Sequence, residues 1–396
     1  MTANNQKQYI EGRIQDFDAV SLYPSAMYIM DGVPKGIPKI IPKDTTHEQL
    51  MEYDTFFIEI NIKKIECKSK KPYAFGQVFR KNDAGSKIFD NKPIDNFYID
   101  KIGLMDLIEF YDIEYELIRG YYFNEGFNKK INFFIEGLFN LRLKYKKEKN
   151  PLQSKIKLLL NSIYGKSILK AMKTETKCVP RDTIFKYIWR NYNYISEIID
   201  EPSIDKIYVR KFNAINNHFN LPQFGASVLS WSKHLMNRVM ALAEQEGVPI
   251  FYQDTDSMHL FEKDLPKIAD IYQFKYHKKL IGEEMCQFHN DFDSFEGAVG
   301  KIYSRKLIAL GKKSYLDILV DEEGHEGYHI RLKGIPHQVI LNKCKRMGIT
   351  VEELYERLYK GEEMEFDLLD GTNAFKKTKT FQQTNLPTFT RKLKFI

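Results

Sequence analysis

The sequence predicts an α+β fold, because segments with strand-like alternation and segments with helical periodicity follow one another along the chain. Strand-like segments span residues 12–30 and 54–64, and helical segments span residues 128–167 and 226–246. The chain has 396 residues, of which 43% are hydrophobic and 14% aromatic, so it can bury a core in two or three packed units. It contains no internal repeat or low-complexity tract, which excludes repeat architectures.

Three further segments extend this prediction. Residues 168–222 are polar and interrupted by prolines, which favours irregular structure. Residues 248–261 (VPIFYQDTDSMHLF) predict a β-hairpin, because apolar residues stand on both sides of a turn-forming centre. An acidic helix is expected over residues 350–366.

Charge and cysteine content narrow the class of protein. Sixty Lys and Arg residues against 53 Asp and Glu give a net charge of +7, which favours a polyanionic partner. The four cysteines lie far apart without a CxxC pair, so neither a disulfide framework nor a zinc site is expected. No apolar run reaches the roughly 20 residues that a membrane helix needs, and no signal peptide is evident. We therefore expect a cytoplasmic protein without a membrane partner.

Three aspartates are candidates for metal chemistry. Asp18 ends a strand pattern, and Asp254 and Asp256 flank Thr255. Residues two apart on a strand share a face, so both carboxylates can point at one spot unless a turn intervenes. Carboxylates that close repel each other, and Mg²⁺, which prefers oxygen ligands, would relieve the repulsion. The alternative is that residues 254–257 are only a hairpin turn and Asp18 only a strand end or a helix cap.

The second helix of the 128–167 segment, which follows a predicted turn at residues 150–151, has two faces. Lys157, Asn161 and Tyr164 share an exposed stripe, and Gly165 follows where the backbone comes close to another group or the helix ends. Lysine can neutralise a phosphate, and tyrosine offers a flat face to a base. The stripe expected to face the core consists of Ile156, Leu159, Leu160 and Ile163.

The first helix of the same segment is strongly basic. Its charge run is typical of a solvated face, and we expect that role for the outer lysines. Arg142 and Lys146 are additional candidates for phosphate contacts.

Taken together, three segments resemble the motifs of family B DNA polymerases. Residues 18–25 (DAVSLYPS) are similar to motif A, DxxSLYPS. Residues 157–165 (KLLLNSIYG) are similar to motif B, KxxxNSxYG, and residues 252–257 (YQDTDS) to motif C, YxDTDS. They occur in the order that the family has, and residues 313–315 (KSY) are similar to its KxY element.

This resemblance implies a right-hand polymerase, with an antiparallel palm sheet, helical fingers, a small thumb and inserts between the motifs. The nearest branch is the protein-primed polymerases of phages and linear mobile elements, whose inserts are associated with a terminal protein and with processivity. Asp18 lies close to the start of the sequence, so we expect the family's N-terminal exonuclease domain to be absent and proofreading, if any, to come from a separate chain. The expected domains are palm 1–40, insert 41–127, fingers 128–167, second insert 168–222, palm 223–320 and thumb 321–396.

The resemblance also implies a metal site. Asp18, Asp256 and the carbonyl group of Ala19 would hold two Mg²⁺ ions, for which Mn²⁺ is expected to substitute, with Asp254 in a supporting role. The catalytic set implied by the motifs is completed by Lys157, which would contact the incoming triphosphate.

A nucleotide site and a primer site follow from the same motifs. The backbone amides of Ser21, Leu22 and Tyr23 would bind the β and γ phosphates, and the Tyr23 ring would lie under the sugar and exclude ribonucleotides. Arg142 or Lys146 would assist Lys157. The nascent base pair would be lined by Asn161, Tyr164 and Gly165, and the primer end would be held by Lys313 and Tyr315.

We therefore expect a template-directed DNA polymerase, a nucleotidyltransferase that extends a primer 3′-OH or a protein-primed end without proofreading in this chain. Its expected partners are primed DNA and dNTPs, with a terminal protein and a separate exonuclease chain, in the host cytoplasm if the gene is viral or carried by a mobile element. The alternative is a catalytically silent or split polymerase subunit that binds DNA and needs a partner chain. The intact Asp18, Asp254, Asp256 and Lys157 argue against a silent subunit.

Overall fold

The computed structural model of the chain describes residues 6–69, 76–83, 85, 87–170, 172–203, 205–213, 220–292, 295–369, 374–377, 383–386 and 389–395. Its helices are α1 (Leu22–Ile29), α2 (His47–Glu52), α3 (Lys101–Phe110), α4 (Lys130–Lys147), α5 (Leu152–Ser167), α6 (Ile184–Asn191), α7 (Pro222–Gln245), α8 (Leu265–Tyr276), α9 (His337–Met347) and α10 (Val351–Tyr359). Its strands are β1 (Gln8–Ala19), β2 (Val33–Pro34), β3 (Lys39–Ile40), β4 (Thr55–Cys67), β5 (Phe79–Lys81), β6 (Lys87–Phe89), β7 (Ile94–Asp100), β8 (Tyr111–Phe123), β9 (Phe127–Asn128), β10 (Thr174–Pro180), β11 (Ile195–Ser203), β12 (Lys206–Phe212), β13 (Tyr252–Asp254), β14 (Ser257–Phe261), β15 (Phe288–Asn290), β16 (Tyr303–Gly311), β17 (Ser314–Val320), β18 (Glu326–Leu332), β19 (Met364–Asp367), β20 (Ala374–Lys377), β21 (Gln383–Leu386) and β22 (Thr390–Leu393).

The chain divides into two compact units. Unit 1 comprises Met1–Asn161, Ala226–Leu368 and Thr390–Ile396, and unit 2 comprises Ser162–Gly225 and Leu369–Phe389. Each unit is therefore built from segments that are separated in the sequence.

The largest sheet of unit 1 is antiparallel and has the strand order β13-β14-β1-β16-β17-β18, with β15 also paired to β1. Its first strand, β1, is thus an inner strand that has neighbours on both edges. The side chains of Ile14 and Phe17 on β1 are buried, which anchors this strand in the core.

The strand predicted over residues 12–30 is wrong in its second half. β1 ends at Ala19, Ser21 adopts a left-handed conformation with φ of 51°, and α1 begins at Leu22. Pro24 lies in the first turn of α1, where its missing N–H is not needed. The amide of Ser25 donates a hydrogen bond of 2.8 Å to the carbonyl oxygen of Ser21, which closes the first helical turn.

A second sheet of unit 1 follows α1, in the order β3-β8-β4-β7. It confirms the strand predicted over residues 54–64, which lies within β4. Its inner side chains, such as Phe56 and Ile58, belong to the same hydrophobic cluster as Phe17 of β1 and Met240 of α7. The second sheet and the largest sheet of unit 1 therefore share one core.

The C-terminal part of unit 1 packs α9 and α10 on β16, β17 and β18 around a separate cluster that includes Ile318, Leu354 and Phe366. The predicted acidic helix is present but shorter than residues 350–366, because α10 ends at Tyr359 and β19 begins at Met364. Thr350 caps α10 in a reciprocal pair of hydrogen bonds with Glu353.

Unit 2 contains an antiparallel sheet in the order β10-β12-β11, so the prediction of irregular structure over residues 168–222 is wrong. A small core forms between this sheet and α6, where Val179, Ile184, Ile207 and Val209 are buried. Among the residues that the structure describes, no helix of either unit combines the length and the apolar character that crossing a membrane requires.

Gly12 of β1 provides a test of this fold. Its φ is +145°, and a Cβ atom there would lie 2.7 Å from the ring of Phe261, next to the irregular pairing of β1 with β16. We expect Gly12→Ala to lower the free energy of unfolding by about 2 to 3 kcal/mol, because backbone strain and a close contact add. Urea unfolding followed by circular dichroism measures this loss.

The matched control is Gly324→Ala, since Gly324 has φ of +88° but no heavy atom within 4 Å of an added Cβ. It carries the backbone strain alone and should cost about 1 kcal/mol. Equal losses in the two variants would contradict the contribution of the Phe261 contact.

Candidate active site

Three strands meet at Asp18, near the end of β1. Asp18 pairs with Ser257 of β14 on one side and with His289 of β15 on the other. The amide of Ala19 donates a hydrogen bond of 2.8 Å to the carbonyl oxygen of Asp256. Backbone hydrogen bonds therefore join the segment of Asp18 to the segment of Asp256, although the two segments lie far apart in the sequence.

Asp254 and Asp256 lie at the turn between β13 and β14. Asp254 pairs with Ser257, and the amide of Asp256 donates a hydrogen bond of 2.7 Å to the carbonyl oxygen of Asp254. Thr255 has φ of 57°, which is uncommon for a β-branched residue. The segment is therefore a hairpin turn, which was one of the two alternatives that the sequence left open. Because of this turn, the directions of the Asp254 and Asp256 side chains do not follow from strand alternation. Backbone strain of this kind is characteristic of functional sites.

The environment of Asp18 disfavours its charged form. Burial raises the pKa of Asp18 to about 9, and the nearby carboxylates of Asp256, Asp291 and Asp16 contribute to the same shift. Lys157 acts in the opposite direction and lowers this pKa. Without a further cation, Asp18 is therefore protonated at neutral pH.

Asp256 has a similar environment, whereas Asp254 has a partner. Burial and the carboxylates of Asp16, Asp254 and Asp291 raise the pKa of Asp256, although hydrogen bonding to its own backbone amide lowers it. Asp254 instead lies next to Lys313, with 3.2 Å between Oδ2 and Nζ. The geometry thus divides the three aspartates into a paired one, Asp254, and two that carry like-charge repulsion.

The structure adds two residues that the sequence analysis missed. Ligand atoms of Asp18, His289 and Asp291 all lie within 4.8 Å of one another. Two of these residues, His289 and Asp291, lie on and immediately after β15, which is only three residues long. The His-Asn-Asp triplet at residues 289–291 is the signal that the sequence offered, but nothing in its spacing related it to Asp18.

The donor groups of this site fit a divalent cation. Asp18 and Asp256 offer carboxylate oxygens with raised pKa values, and His289 and Asp291 add an imidazole nitrogen and a further carboxylate at Asp18. Carboxylates suit Mg²⁺ and Mn²⁺, and a cation would offset both the burial and the like-charge repulsion that raise these pKa values.

The residues after Asp18 face the first basic helix. Arg142 of α4 donates a hydrogen bond of 2.8 Å from Nη1 to the hydroxyl oxygen of Ser21. Burial lowers the pKa of Arg142, while Asp291 and Glu283 raise it. Lys146, one turn further along α4, is exposed and lies 3.6 Å from a carboxylate oxygen of Glu283. Of the two candidates, Arg142 therefore contacts the segment of motif A directly.

Motif B lies on α5, as predicted. Lys157 and Asn161 are exposed, and Lys157 is close enough to Asp18 to lower its pKa. Tyr164 and Gly165 lie on the next turn of α5, in unit 2. One residue of the predicted core-facing stripe of α5 is wrong. Leu160 is fully buried, but Leu159 is 45% exposed, so the buried face of the helix is narrower than the sequence pattern indicated.

Lys313 and Tyr315 have different surroundings. The Lys313 side chain is exposed and reaches Asp254, and its amide donates a hydrogen bond of 2.8 Å to the hydroxyl oxygen of Tyr252. Tyr315 is only 6% exposed, and its ring centre lies 4.5 Å from that of Tyr252. The primer contacts implied for this pair stay predictions.

A buried ion pair lies behind the carboxylates. His259 of β14 is fully buried, with Nε2 3.0 Å from Oδ2 of Asp317 and Nδ1 3.6 Å from Oδ1 of Asp16. Burial lowers the pKa of His259, but Asp317 and Asp16 together outweigh this effect and raise the pKa to about 9. The imidazolium therefore balances Asp16, the carboxylate two residues before Asp18.

Comparison with known protein families shows to which family this chain belongs. Residues 2–246 match the model of the family described as DNA polymerase type B, organellar and viral. The match covers more than half of the chain. The chain belongs to this family. A comparison with curated proteins gave no match.

Solved structures of Phi29 DNA polymerase have the same fold as this family B chain. The ternary complex with primer-template DNA and incoming nucleotide substrates has a TM-score of 0.63 at 15% identity, over 97% of this chain and 58% of that one. The orthorhombic form has a TM-score of 0.61 at 16% identity, over 99% and 59%. The post-translocation binary complex with primer-template DNA has a TM-score of 0.61 at 14% identity, over 98% and 59%.

These comparisons confirm the predicted α+β polymerase fold and agree with the predicted phage branch of family B. The chain spans about three fifths of the length of the Phi29 polymerase chains that it matches.

The raised pKa of Asp18 predicts a pH-dependent stability. In the metal-free protein the folded chain keeps a proton on Asp18 that the unfolded chain releases, so folding is penalised progressively as the pH rises from 3.8 toward about 9. Asp18→Asn avoids this penalty. In EDTA its melting temperature should therefore exceed that of the wild type by more at pH 8 than at pH 5.

Added Mg²⁺ should raise the melting temperature of the wild type at pH 8 and have little effect on Asp18→Asn. Thermal unfolding followed by circular dichroism measures both effects. Asp270→Asn, on the exposed side of α8, is the control and should follow the wild type. A pH-independent difference between Asp18→Asn and the wild type would contradict the shifted pKa.

The buried pair of His259 and Asp317 predicts a large loss on removal of one partner. Asp317→Asn leaves a buried imidazolium with weaker compensation, and we expect about 3 kcal/mol lower free energy of unfolding at pH 6. Because the pKa of His259 is raised from 6.5 to about 9, its charge stabilises the fold fully below pH 6.5 and this contribution is lost as the pH rises through 9. The cost of Asp317→Asn should therefore be smaller at pH 10.

The double variant His259→Gln, Asp317→Asn is the control. It removes both charges, so its loss should be smaller than the sum of the two single losses. Additive losses in urea unfolding would contradict the coupling between these two residues.

Proposed function

We propose that the chain is a template-directed DNA polymerase that adds deoxynucleotides to a primer 3′-OH. The observation that carries this proposal is the hydrogen bond between the Ala19 amide and the Asp256 carbonyl oxygen, which brings the acidic residues of motifs A and C together in a family B chain. The raised pKa values of Asp18 and Asp256 support a site that needs cations to work.

Asp18, Asp256 and the carbonyl group of Ala19 would hold two divalent ions, with Mg²⁺ as the expected metal and Mn²⁺ as a substitute. Bound there, the ions would supply Lewis-acid stabilisation of the attacking 3′ oxygen and of the leaving phosphate. Asp254 keeps Lys313 at the edge of the same turn, with 3.2 Å between the charged groups, and would support the site in this way.

The residues around the carboxylates would position the nucleotide. Lys157 neutralises charge on the triphosphate, and its influence on the pKa of Asp18 supports its closeness to the site. Arg142 orients Ser21 through its hydrogen bond, so that the backbone amides of Ser21, Leu22 and Tyr23 can face the β and γ phosphates. Asn161 would line the base pair, and the same role for Tyr164 and Gly165 stays a prediction from the sequence.

Tyr23 would distinguish deoxynucleotides from ribonucleotides by contact with the sugar. It is half-buried in the first turn of α1, two residues after the left-handed Ser21. The terminal protein, the separate exonuclease chain and the cytoplasmic location stay predictions from the sequence.

Primer extension tests the proposed function. A 5′-labelled primer annealed to a template is incubated with the purified chain, four dNTPs and Mg²⁺, and the products are separated by length. We expect template-dependent extension by the wild type and a loss of about 10³-fold or more in Asp256→Asn, because a ligand of the metal site is removed while the volume is kept.

Asp270→Asn is the matched carboxylate control and should extend the primer like the wild type. Products that persist in Asp256→Asn would contradict the role of this carboxylate. DNA binding without extension by the wild type would favour the alternative, a silent or split subunit that needs a partner chain.

A further inference from the structure

A cleft of about 590 Å³ opens in unit 1 between the sheet β3-β8-β4-β7 and the helix α7. Its volume is in the range of cavities that bind small molecules. No residue of motifs A, B or C is among the described residues that line the cleft, so it is separate from the candidate active site.

Most of the surface of the cleft is apolar. Phe57 and Phe97 line it from β4 and β7, Phe79 from β5 and Leu229 from α7. The rings of Phe79 and Phe97 lie edge to face, with 6.0 Å between their centres. Aromatic walls of this kind favour an aromatic occupant, because the rings make large contacts with one another.

Asp100, at the end of β7, is an acidic group of the cleft that lacks a partner. It is only 6% exposed, and its Oδ1 accepts a hydrogen bond of 2.9 Å from the amide of Gly103. Its Oδ2 is buried and accepts no hydrogen bond from any residue that the structure describes. A buried acceptor without a donor is costly, so this oxygen is suited to an N–H group of a ligand.

The surroundings of Asp100 show on which side its carboxyl group lies. Burial raises the pKa of Asp100 to about 6, and the nearby Ser230 and Lys233 act to lower it. Both of these residues belong to α7 and line the cleft. The carboxyl group therefore faces the space between β7 and α7.

Lys233 supplies a donor next to this acceptor. Its side chain is exposed, yet the surrounding protein lowers the pKa of its ammonium group, as expected for an amine inside an open cleft. It forms no ion pair with a carboxylate in the part of the chain that the structure describes. Asp100 and Lys233 are thus close enough to shift each other's pKa but too far apart for a direct ion pair.

The other charged groups of the cleft already have partners. Nε of Arg119 lies 2.5 Å from Oε2 of Glu59. Asp106 accepts a hydrogen bond of 2.8 Å from the side-chain amide of Asn237, and its other oxygen lies 2.5 Å from Nδ1 of His234. These groups are therefore engaged within the protein.

We propose that the cleft binds a small aromatic lactam, a neutral flat molecule whose carbonyl oxygen accepts a hydrogen bond from Lys233 and whose adjacent N–H donates one to Asp100. An acceptor directly beside a donor bridges the gap that separates these two side chains. The aromatic body of the molecule fills the apolar part of the cleft, and the two polar contacts fix its orientation. The site is separate from nucleotide addition, since neither residue belongs to the catalytic set.

Other occupants fit the cleft less well. The phosphates of a nucleotide would meet the carboxylates of Glu59, Asp100 and Asp106. A pure hydrocarbon would leave the carboxyl group and the amine without hydrogen-bond partners in a drier environment. Water can bridge two polar groups, and a cleft that holds water only is the alternative that the experiment excludes.

Calorimetric titration of the full-length chain with isocarbostyril, a neutral bicyclic lactam without phosphate, tests the proposal. We expect saturable binding at one site per chain, with a dissociation constant of about 100 µM or lower. The N-methyl derivative lacks the N–H group, and valerolactam lacks the aromatic ring. Each should bind about tenfold more weakly than isocarbostyril. The titration is carried out in EDTA and without DNA.

Two variants separate the two polar contacts. Asp100→Asn keeps an oxygen for the Gly103 amide but replaces the unpartnered acceptor with a donor, and Lys233→Met keeps the aliphatic stem but removes the ammonium group. Each should bind isocarbostyril about tenfold more weakly than the wild type. Asp100→Asn should bind the N-methyl derivative as well as the wild type does, because that contact is already absent, whereas Lys233→Met should bind it more weakly.

Lys345→Met, on the exposed side of α9, is the matched control and should bind isocarbostyril like the wild type. Melting curves followed by circular dichroism show that each variant is folded. A merely structural role of Asp100 would weaken the binding of both lactams equally in Asp100→Asn, and this result would contradict the direct contact.

The outcomes are distinguishable from failure of the proposed polymerase. Lys233→Met should extend a primer like the wild type, and binding of isocarbostyril by a chain that cannot extend a primer would support the cleft and count against the polymerase. No binding of isocarbostyril, equal affinity for its N-methyl derivative, or full affinity in both variants would overturn the proposal. Displacement of isocarbostyril by excess dTTP with Mg²⁺ would place it in the polymerase site and would also overturn it.

Discussion

The pairing of β1 with both β14 and β15 at Asp18 is the constraint on which the candidate site depends. It joins Asp18 to the turn of Asp256 on one edge and to His289 on the other, through backbone hydrogen bonds that do not depend on the charges. A one-residue slip of β1 would turn Asp18 to the opposite face of the sheet. The buried rings of Phe17 and Phe288, whose centres lie 5.2 Å apart, oppose such a slip because they are part of the core.

The same pairing concentrates negative charge, which lowers the stability of the fold. Burial raises the pKa values of Asp18 and Asp256, and the carboxylates of Asp16 and Asp291 contribute to both shifts, while the buried His259 balances the charge of Asp16. Like charges that repel one another in the absence of a ligand lower the free energy of unfolding, and such destabilised arrangements are found at functional sites. The large core shared by the main sheet, the sheet β3-β8-β4-β7 and α7 offsets this loss of stability.

Much of the site could be predicted because its motifs are continuous in the sequence. The segments around Asp18, Lys157 and Asp256 each carry their own signal, and the helix and hairpin that hold the last two were also evident. His289 and Asp291 could not be related to Asp18, since β15 is too short to show a pattern and its partner strand lies far away in the sequence. The sheet of unit 2 was missed although Ile207 and Val209 alternate with polar residues in β12, because the prolines around it suggested irregular structure. The hydrogen-bonded turn at Ser21, which converts an apparent strand into α1, depends on a backbone angle that the sequence pattern does not show.

The inner position of β1 also has a consequence for how the chain is made. Residues 8–19 are synthesised well before their partner strands β14, β15 and β16, which are completed only at residues 261, 290 and 311. Until then the apolar side chains of Ile14 and Phe17 have no native partner on the neighbouring strands, and such long-range pairing is slow to form. The main sheet therefore cannot be completed until residue 311 has been made, so synthesis of this part of the protein should be sensitive to chaperones that protect exposed strands.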